Sequence, residues 1–132
     1  MENQGFICSI SDEPITSVEN SFAPSTTHGA DIRFHGVVRD REDGRLISGI
    51  DYSQYEKMAL RELEKIGEAM TSEFPDHLAH VHHKVGFVAA GEASLLIRIQ
   101  TAHSAEAFER CLEYLKRIKT TVPIWKKPIF VE

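Results

Sequence analysis

The sequence predicts an α+β fold in which an antiparallel sheet has two main helices packed on it. Residues that alternate between apolar and polar predict strands, most clearly over 30–39 and 93–101. Apolar residues at helical spacing predict a helix over 56–74 and a second from Ser104 to about Thr121. The resulting order, strand–strand–helix–strand–strand–helix, favours hairpins with the helices segregated to one side of the sheet.

The composition is that of one globular domain. The chain has 132 residues, of which 42% are hydrophobic and 27% charged, and we expect a single domain over 1–132. The N-terminal segment, residues 1–28, is weakly patterned. It contains a predicted short edge strand over 6–10, a helical turn that opens near Pro14, and a loop over 21–29.

The first clear strand, 30–39, leads into the strongest hairpin signal of the chain. Asp43-Gly44 is a preferred pair for a two-residue turn, so residues 46–55 are expected to return as a second strand. Gly36 inside the first strand indicates a bulge or a close approach of another backbone.

The second half repeats the pattern after the helix over 56–74. A third strand is predicted over 80–88, and residues 86–91 are expected to form a flexible connection to the strand over 93–101. Ser104 is the predicted N-cap of the second helix. The predicted apolar stripe of that helix consists of Ala107, Phe108, Cys111, Leu112, Leu115 and Ile118.

Charge and composition exclude several classes of function. The chain has 15 basic and 20 acidic residues and a net charge of −5, which argues against general nucleic-acid binding. No apolar run approaches the roughly 18–20 residues that span a bilayer, so we expect no membrane segment. The chain begins without the pattern of a signal peptide. Cys8 and Cys111 form neither a disulfide framework nor a metal motif, and a cytoplasmic location is therefore expected.

One segment departs from the acidic character of the chain. Between Lys116 and Lys127 lie five basic residues and no acidic one: Lys116, Arg117, Lys119, Lys126 and Lys127. A purely basic segment in an acidic protein is typical of an anion site. The structural alternative is that these cations complement the dipole at the end of a helix that Pro123 terminates.

The candidate functional groups are cationic or neutral. Arg39 stands at a strand end, His103 at a helix entrance, Lys119 at a helix exit and Lys126 just beyond it. If these four positions lie close together in the fold, their side chains suit a phosphate or carboxylate ligand. The backbone N–H groups at the start of the helix, at Ser104, would add further hydrogen-bond donors to the same ligand. Each also has a structural alternative: Arg39 pairs with an acidic residue of the hairpin, His103 is a polar residue of the helix entrance, and Lys119 caps its helix.

Four closely spaced histidines raise the alternative of a metal site: His77, His80, His82 and His83. In a strand, His80 and His82 share one face while His83 points to the other. No further ligand at suitable spacing completes a site, so a polar strand face is favoured and no metal is expected.

Six stretches together resemble one known family, the large, catalytic subunit of molybdopterin synthase. They are Gly29 to Arg39, Tyr55 to Ala59, His82 to Gly86, Gly91 to Ser94, His103 with Glu106 to Phe108, and Lys119 to Lys127. The most specific are the Phe-x-Gly-x-Val-Arg element at Phe34 and the Val-Pro-Ile-Trp-Lys-Lys element that ends at Lys127. The resemblance makes residues 29–127 the family core.

The resemblance implies an α/β-hammerhead fold and a sulfurtransferase. Two large subunits would form a homodimer, and each would bind a small ubiquitin-like sulfur-carrier subunit that ends in a Gly-Gly thiocarboxylate, giving a heterotetramer. Sulfur would pass from that tail to cyclic pyranopterin monophosphate, and two rounds would complete the dithiolene of molybdopterin. The family requires no cofactor for this step.

The same resemblance assigns roles to residues of this chain. Lys119 matches the catalytic lysine beside the carrier tail, and Lys126 matches the lysine of the substrate pocket. Arg39, His103 and Phe34 match substrate-binding positions. Ser104 stands where many members have arginine and is expected to contribute its hydroxyl, and Lys127 is expected to bind substrate beside Lys126.

Two other functions fit the same residues. A non-catalytic protein with this basic pocket would bind a phosphorylated small molecule or the C-terminal carboxylate of a partner, and the serine at position 104 favours it. A structural dimerisation module explains the basic segment least well.

Overall fold

The structure is a computed structural model that describes residues 5–21, 25–55 and 57–131. Residues 22–24 of the predicted loop over 21–29, and the first position of the predicted helix over 56–74, lie outside the described residues. In chain order the elements are β1 (Phe6–Ser11), α1 (Ile15–Val18), β2 (Ala30–Val37), β3 (Arg41–Glu42), β4 (Arg45–Gln54), α2 (Met58–Glu73), β5 (His77–Lys84), β6 (Gly86–Ala89), β7 (Ala93–Thr101), α3 (Ser104–Thr121) and β8 (Ile124–Phe130). The predicted α+β fold is confirmed.

The larger sheet has the strand order β1-β5-β7-β2. Its pairs are antiparallel except for the edge pair β1–β5, which is parallel. Helices α2 and α3 pack on one face, where Leu63, Met70, Ile97 and Tyr114 are buried together. Leu96, the neighbour of Ile97 in β7, points to the other face and is covered by α1. Both faces of the sheet are therefore buried along β7.

A second sheet is built on β4. Strand β6 pairs with one edge of β4 and β8 with the other, both antiparallel, and β3 forms a short hairpin with its start. This sheet has its own small core, made of Val38, Ile47, Ile50, Tyr52 and Val88. The short segment that connects α3 to β8 lies at the junction of the two sheets.

The predicted hairpin turn is confirmed, but the strands it joins are not those expected. Asp43 and Gly44 have φ angles of 53° and 76°, as a two-residue hairpin turn requires. The turn connects β3 to β4, whereas β2 pairs with β7 instead. The register shift after Gly36 confirms the predicted bulge there and ends β2. Val38 then leaves the first sheet for the core of the second.

Two strands of the second sheet differ from the prediction. Residues 86–89 form β6, and Gly86, with a φ of 85°, redirects the chain from β5 into the second sheet. Accordingly, β5 runs from His77 to Lys84 and not over 80–88. The segment after Pro123, for which the sequence predicted no strand, forms β8 because β4 offers it an unpaired edge.

The stripe predicted on α3 is only partly correct. Phe108 and Leu112 are 65% and 59% exposed, while Tyr114, outside the predicted stripe, is fully buried. Tyr114 packs inward because its hydroxyl reaches Nε2 of His77 at 2.7 Å. The predicted N-cap is also displaced by one residue: His103 is the N-cap, without a side-chain hydrogen bond, and Ser104 is the first helical residue.

Candidate functional site

A cleft of about 530 Å³ lies where the last turns of α3 meet β8 and the end of β2. It is lined by Phe34, Gly36, Val37, Tyr52, His83, Ser94, Leu95, Leu115, Ile118, Lys119, Val122, Ile124 and Lys126. Most of these side chains are apolar, and two are lysines. Among the described residues, no carboxylate lines the cleft.

Lys119 reaches the cleft because α3 continues to its last turn before the chain changes direction. Ile118 is buried against the first sheet, and its neighbour Lys119 follows in the last turn at the rim. Val122 closes the helix through its N–H, which donates to the carbonyl of Ile118 at 3.1 Å. Pro123 then prevents another turn. The helix end thus holds the lysine at the cleft and continues directly into β8.

Lys126 comes from β8, where it lies opposite Tyr52 of β4. Successive side chains of a strand point to opposite faces, so Trp125 and Lys127 face away from the cleft that Lys126 lines. Trp125 is 59% exposed and packs near the ring of Tyr55, at 6.3 Å between centroids. The chain therefore presents Lys126 to the cleft and Lys127 elsewhere.

Neither cleft lysine is neutralised within the described part of the chain. The ion pairs formed there involve neither Lys119 nor Lys126. By contrast, Lys116 lies 4.0 Å from Glu113, and Arg117 contacts Glu113 at 2.7 Å. Both lysines are exposed at the rim of the cleft, and two unpaired ammonium groups at one rim attract an anion.

Phe34 forms part of the apolar wall. It lies in β2 opposite Ile97 of β7, and Gly36 follows two residues later on the same face. A Cβ at Gly36 would lie only 3.3 Å from that of Leu95, so the glycine keeps the wall tightly packed. The cleft thus combines an aromatic surface with a cationic rim, which suits a flat anionic ligand.

His83 is a cleft residue that the candidate set from sequence lacks. Its Nδ1 donates to the carbonyl oxygen of Lys84 at 2.8 Å, and the ring meets Tyr52 edge-on at 5.1 Å. Burial, with smaller contributions from His82 and the charge of Lys126, lowers the pKa of His83 to about 4 despite that hydrogen bond. The sequence holds one signal for it, since alternation along the strand separates His83 from His80 and His82.

The other predicted site residues do not line the cleft. Arg39 is exposed between β2 and β3, and Lys127 lies on the opposite face of β8. His103 and Ser104 are exposed at the start of α3, whereas Lys119 is in its last turn. At 1.5 Å per residue, the two ends of the helix are about 22 Å apart. Within one described chain, Lys119, Lys126 and Phe34 converge, and the other four residues lie elsewhere.

The remaining histidines of β5 are internal, so the predicted polar strand face is a buried one. His77 bridges the carbonyl of Phe74 and the hydroxyl of Tyr114, at 2.6 and 2.7 Å. His82 pairs with the Ser9 hydroxyl at 2.7 Å. Burial lowers the pKa of His80 to about 4. In the described residues, no group of three or more His, Cys, Asp or Glu side chains could hold a metal ion.

A family model described as "MoaE protein" matches residues 10–121 of the chain. The catalytic subunit of molybdopterin synthase from Drosophila grimshawi is 39% identical over 104 residues. That match covers 77% of this chain but 28% of the relative, so the chain spans little more than a quarter of that protein's length.

Solved structures share the fold. The crystal structure of molybdopterin synthase from Staphylococcus aureus superposes with a TM-score of 0.84 at 30% identity, covering 93% of this chain and 90% of that one. A complex of subunits 1 and 2 of molybdopterin-converting factor from Helicobacter pylori gives a TM-score of 0.73 over 96% of this chain and 90% of that one. Its identity is 22%, so it shows a common fold alone.

Proposed function

Because the chain belongs to the MoaE protein family, we propose that it is the catalytic, large subunit of a molybdopterin synthase. In this role it transfers sulfur from the C-terminal thiocarboxylate of a small ubiquitin-like carrier subunit to cyclic pyranopterin monophosphate. One observation carries the proposal: Lys119 and Lys126 enter a single cleft that, among described residues, holds no carboxylate.

The chemistry of the cleft fits both reactants, since the thiocarboxylate and the cyclic phosphate are anions that repel each other in water. Lys119 at the helix end and Lys126 on β8 supply two positive charges without competing ion pairs in the described chain. Holding the sulfur near the pterin converts a bimolecular reaction into an effectively unimolecular one. The ammonium groups also stabilise negative charge that develops during transfer. We therefore assign Lys119 to the carrier tail and Lys126 to the substrate.

The apolar walls have a second role in this proposal. Phe34, Leu115 and Ile124 offer surfaces for the flat pterin ring and for the narrow glycine tail of the carrier. They also exclude water, which strengthens the attraction between the lysines and their anions. Excluding water further protects the thiocarboxylate from hydrolysis before its sulfur attacks the acceptor carbon. Water later cleaves the resulting thioester, so that the sulfur stays on the pterin and the carrier leaves as a carboxylate.

A homodimer would explain why His103 and Ser104, which are proposed to bind substrate, lie far from the cleft of their own chain. His103 and Ser104 stand about 22 Å from Lys119 along one helix, so they contribute to the same pocket only if another copy supplies them. In the proposed heterotetramer, a second large subunit brings these two residues to the rim. Arg39, exposed near the cleft-forming strands, remains a proposed substrate-binding residue. Lys127 faces away from the cleft, so we propose at most a minor contribution to substrate binding from it.

Exposed apolar side chains support the proposal of protein partners. Phe108 and Leu112 form an uncovered stripe on α3, and Trp125 with Tyr55 forms a second apolar patch beside β8. Large apolar side chains on a surface are typical of sites that other proteins cover.

We also infer a single domain over residues 1–132 and a cytoplasmic location. Ile15 and Val18 of the N-terminal segment pack against Leu96 of the main sheet, which supports one domain. Cys8 and Cys111 are both free thiols, which fits a reducing compartment. In the described residues, no helix is long and apolar enough to cross a membrane.

A single-turnover assay tests the function. The protein is mixed with a thiocarboxylated carrier subunit and cyclic pyranopterin monophosphate, and molybdopterin is measured by mass spectrometry. Product formation is expected with the unmodified chain. Tight carrier binding without product would instead favour a non-catalytic binding protein, and neither binding nor product would contradict both functions.

A further inference from the structure

His83 is placed in the cleft by the fold and has no role in the reaction as described so far. It belongs to β5 of the first sheet, yet its ring turns toward the second sheet and meets Tyr52 of β4. Only 9% of its surface is exposed, and that part lines the same cleft as Lys119 and Lys126. The small exposed part of the ring can therefore contact only a molecule that lies in the cleft.

The hydrogen bond of one ring nitrogen determines what the other can do. Nδ1 of His83 lies 2.8 Å from the carbonyl oxygen of Lys84, and a carbonyl can only accept, so Nδ1 carries the proton. The pKa of His83 is lowered to about 4, first by burial and then by His82 and Lys126, so the ring is neutral at pH 7. Nε2 therefore carries a lone pair and no hydrogen, and no described contact uses it.

The other polar side chains of the cleft differ in the hydrogen bonds that they can offer a ligand. Charged Lys119 and Lys126 can only donate hydrogen bonds. The Ser94 hydroxyl donates to the carbonyl oxygen of Gly36 at 3.3 Å, so its oxygen, like that of Tyr52, can still accept a hydrogen bond from a ligand. A ligand recognised by the lysines alone could be any anion of suitable size. A hydrogen-bond acceptor fixed in the cleft, such as Nε2 of His83, requires a matching N–H donor on the ligand, which a simple anion does not have.

We propose that His83 is a specificity-determining residue whose Nε2 accepts a hydrogen bond from an N–H group of the pterin ring. The lysines hold the anionic parts of the two reactants, and the histidine distinguishes a nitrogen heterocycle from a bare phosphate. This inference rests on the proposed function. A neutral ring is essential to it, because a protonated His83 would offer a donor and would repel Lys126.

Binding measurements with two ligands test this role. The affinities for cyclic pyranopterin monophosphate and for inorganic phosphate are measured in the unmodified chain, in His83→Leu and in His83→Gln. His83→Leu is expected to weaken pterin binding about 10-fold or more, because a buried N–H then lacks its acceptor. Phosphate affinity should stay within about 2-fold, since the lysines are intact. His83→Gln, whose amide oxygen can accept, should recover most of the pterin affinity.

The control variant is His28→Leu, which removes a histidine outside the cleft and should change neither affinity. Equal losses for both ligands in His83→Leu would show that the ring only supports the shape of the cleft. Unchanged pterin affinity in that variant would also overturn the inference.

A measurement without substitution covers the case in which the variants fold poorly. In protein with ¹⁵N-labelled histidine, Nε2 of His83 should resonate as an unprotonated nitrogen and shift when the pterin is added, but not when inorganic phosphate is added. A protonated Nε2, or no shift with the pterin, contradicts the inference. If the unmodified chain makes molybdopterin while its His83 signal does not respond, the proposed function stands and only the role of His83 fails.

Discussion

The two ends of α3 make an informative comparison. At the C-terminal end, Lys119 joins Lys126 in a partly enclosed cleft, with apolar walls and with their charges unpaired in the described chain. At the N-terminal end, His103 and Ser104 are exposed and line no part of that cleft. Both ends carry residues that the family resemblance assigns to the pocket. The difference teaches that one chain builds the cationic cleft by itself, whereas His103 and Ser104 would reach such a cleft only in the proposed homodimer.

The largest expected effect is at the C-terminal end. Lys119→Ala removes a charge that the proposed transfer requires, and product in the single-turnover assay should fall about 100-fold or more. Lys116→Ala is the matched control, because Lys116 lies on the same helix but outside the cleft and near Glu113. Its rate should equal that of the unmodified chain. If both variants behave alike, the cleft is not the reaction site.

The proposed origin of the other half in a second copy can be tested by mixing two inactive variants. Lys119→Ala and His103→Ala should each be nearly inactive alone. After subunit exchange, a mixed dimer has one site with both residues intact, so an equal mixture should recover about a quarter of the unmodified activity. The readout is the same single-turnover assay before and after exchange. No recovery, with exchange verified by mass spectrometry, would place His103 outside the pocket of the partner.

A smaller difference is expected between Lys126 and Lys127, which are neighbours on β8 but point to opposite faces of the strand. Lys126→Ala removes a cleft charge and should lower kcat/KM about 10-fold to 100-fold, whereas Lys127→Ala, on the other face, should lower it by less than about 3-fold. Steady-state kinetics with varied pterin concentration measures both. An equal loss in the two variants would mean that Lys127 contributes as much to substrate binding as Lys126 does.

The smallest effect on activity is expected away from both ends, at the ion pair between buried Arg98 and the more exposed Asp31. Two hydrogen bonds from Arg98, of 2.8 and 3.1 Å, hold the pKa of Asp31 below its usual value. Because the folded pKa is depressed, the pair stabilises the protein above the unfolded pKa of about 3.9 and loses this effect as pH falls below it. Asp31→Asn should therefore lower Tm at pH 7 and progressively less toward pH 3.

The same variant should leave sulfur transfer unchanged at temperatures where it is folded, since Asp31 is not a cleft residue. Thermal unfolding followed by circular dichroism at several pH values measures the first effect. A Tm difference independent of pH would show that the carboxylate charge of Asp31 contributes nothing to stability.

Local patterns in the sequence were sufficient for the elements whose contacts are local. The periodicity of α2, the alternation of β7 and the glycine at the Asp43-Gly44 turn each predict what the structure has, because spacing and backbone conformation decide them. The segregation of basic residues between Lys116 and Lys127 likewise indicated the end of α3 as the candidate site. The family resemblance added the roles of particular residues, which spacing alone does not give.

Contacts between distant segments decided the rest. β4 pairs with β6 and β8 and not with β2, since a bulge after Gly36 ends β2 and an open edge of β4 receives the chain after Pro123. That pairing makes a strand of the segment that carries Lys126 and Lys127, so the two lysines point to opposite faces, and the second sheet brings Tyr52 against His83. Sequence determined which charges this protein carries and where its helices lie; only the tertiary structure decided which side chains meet, because strand pairing depends on partners far along the chain.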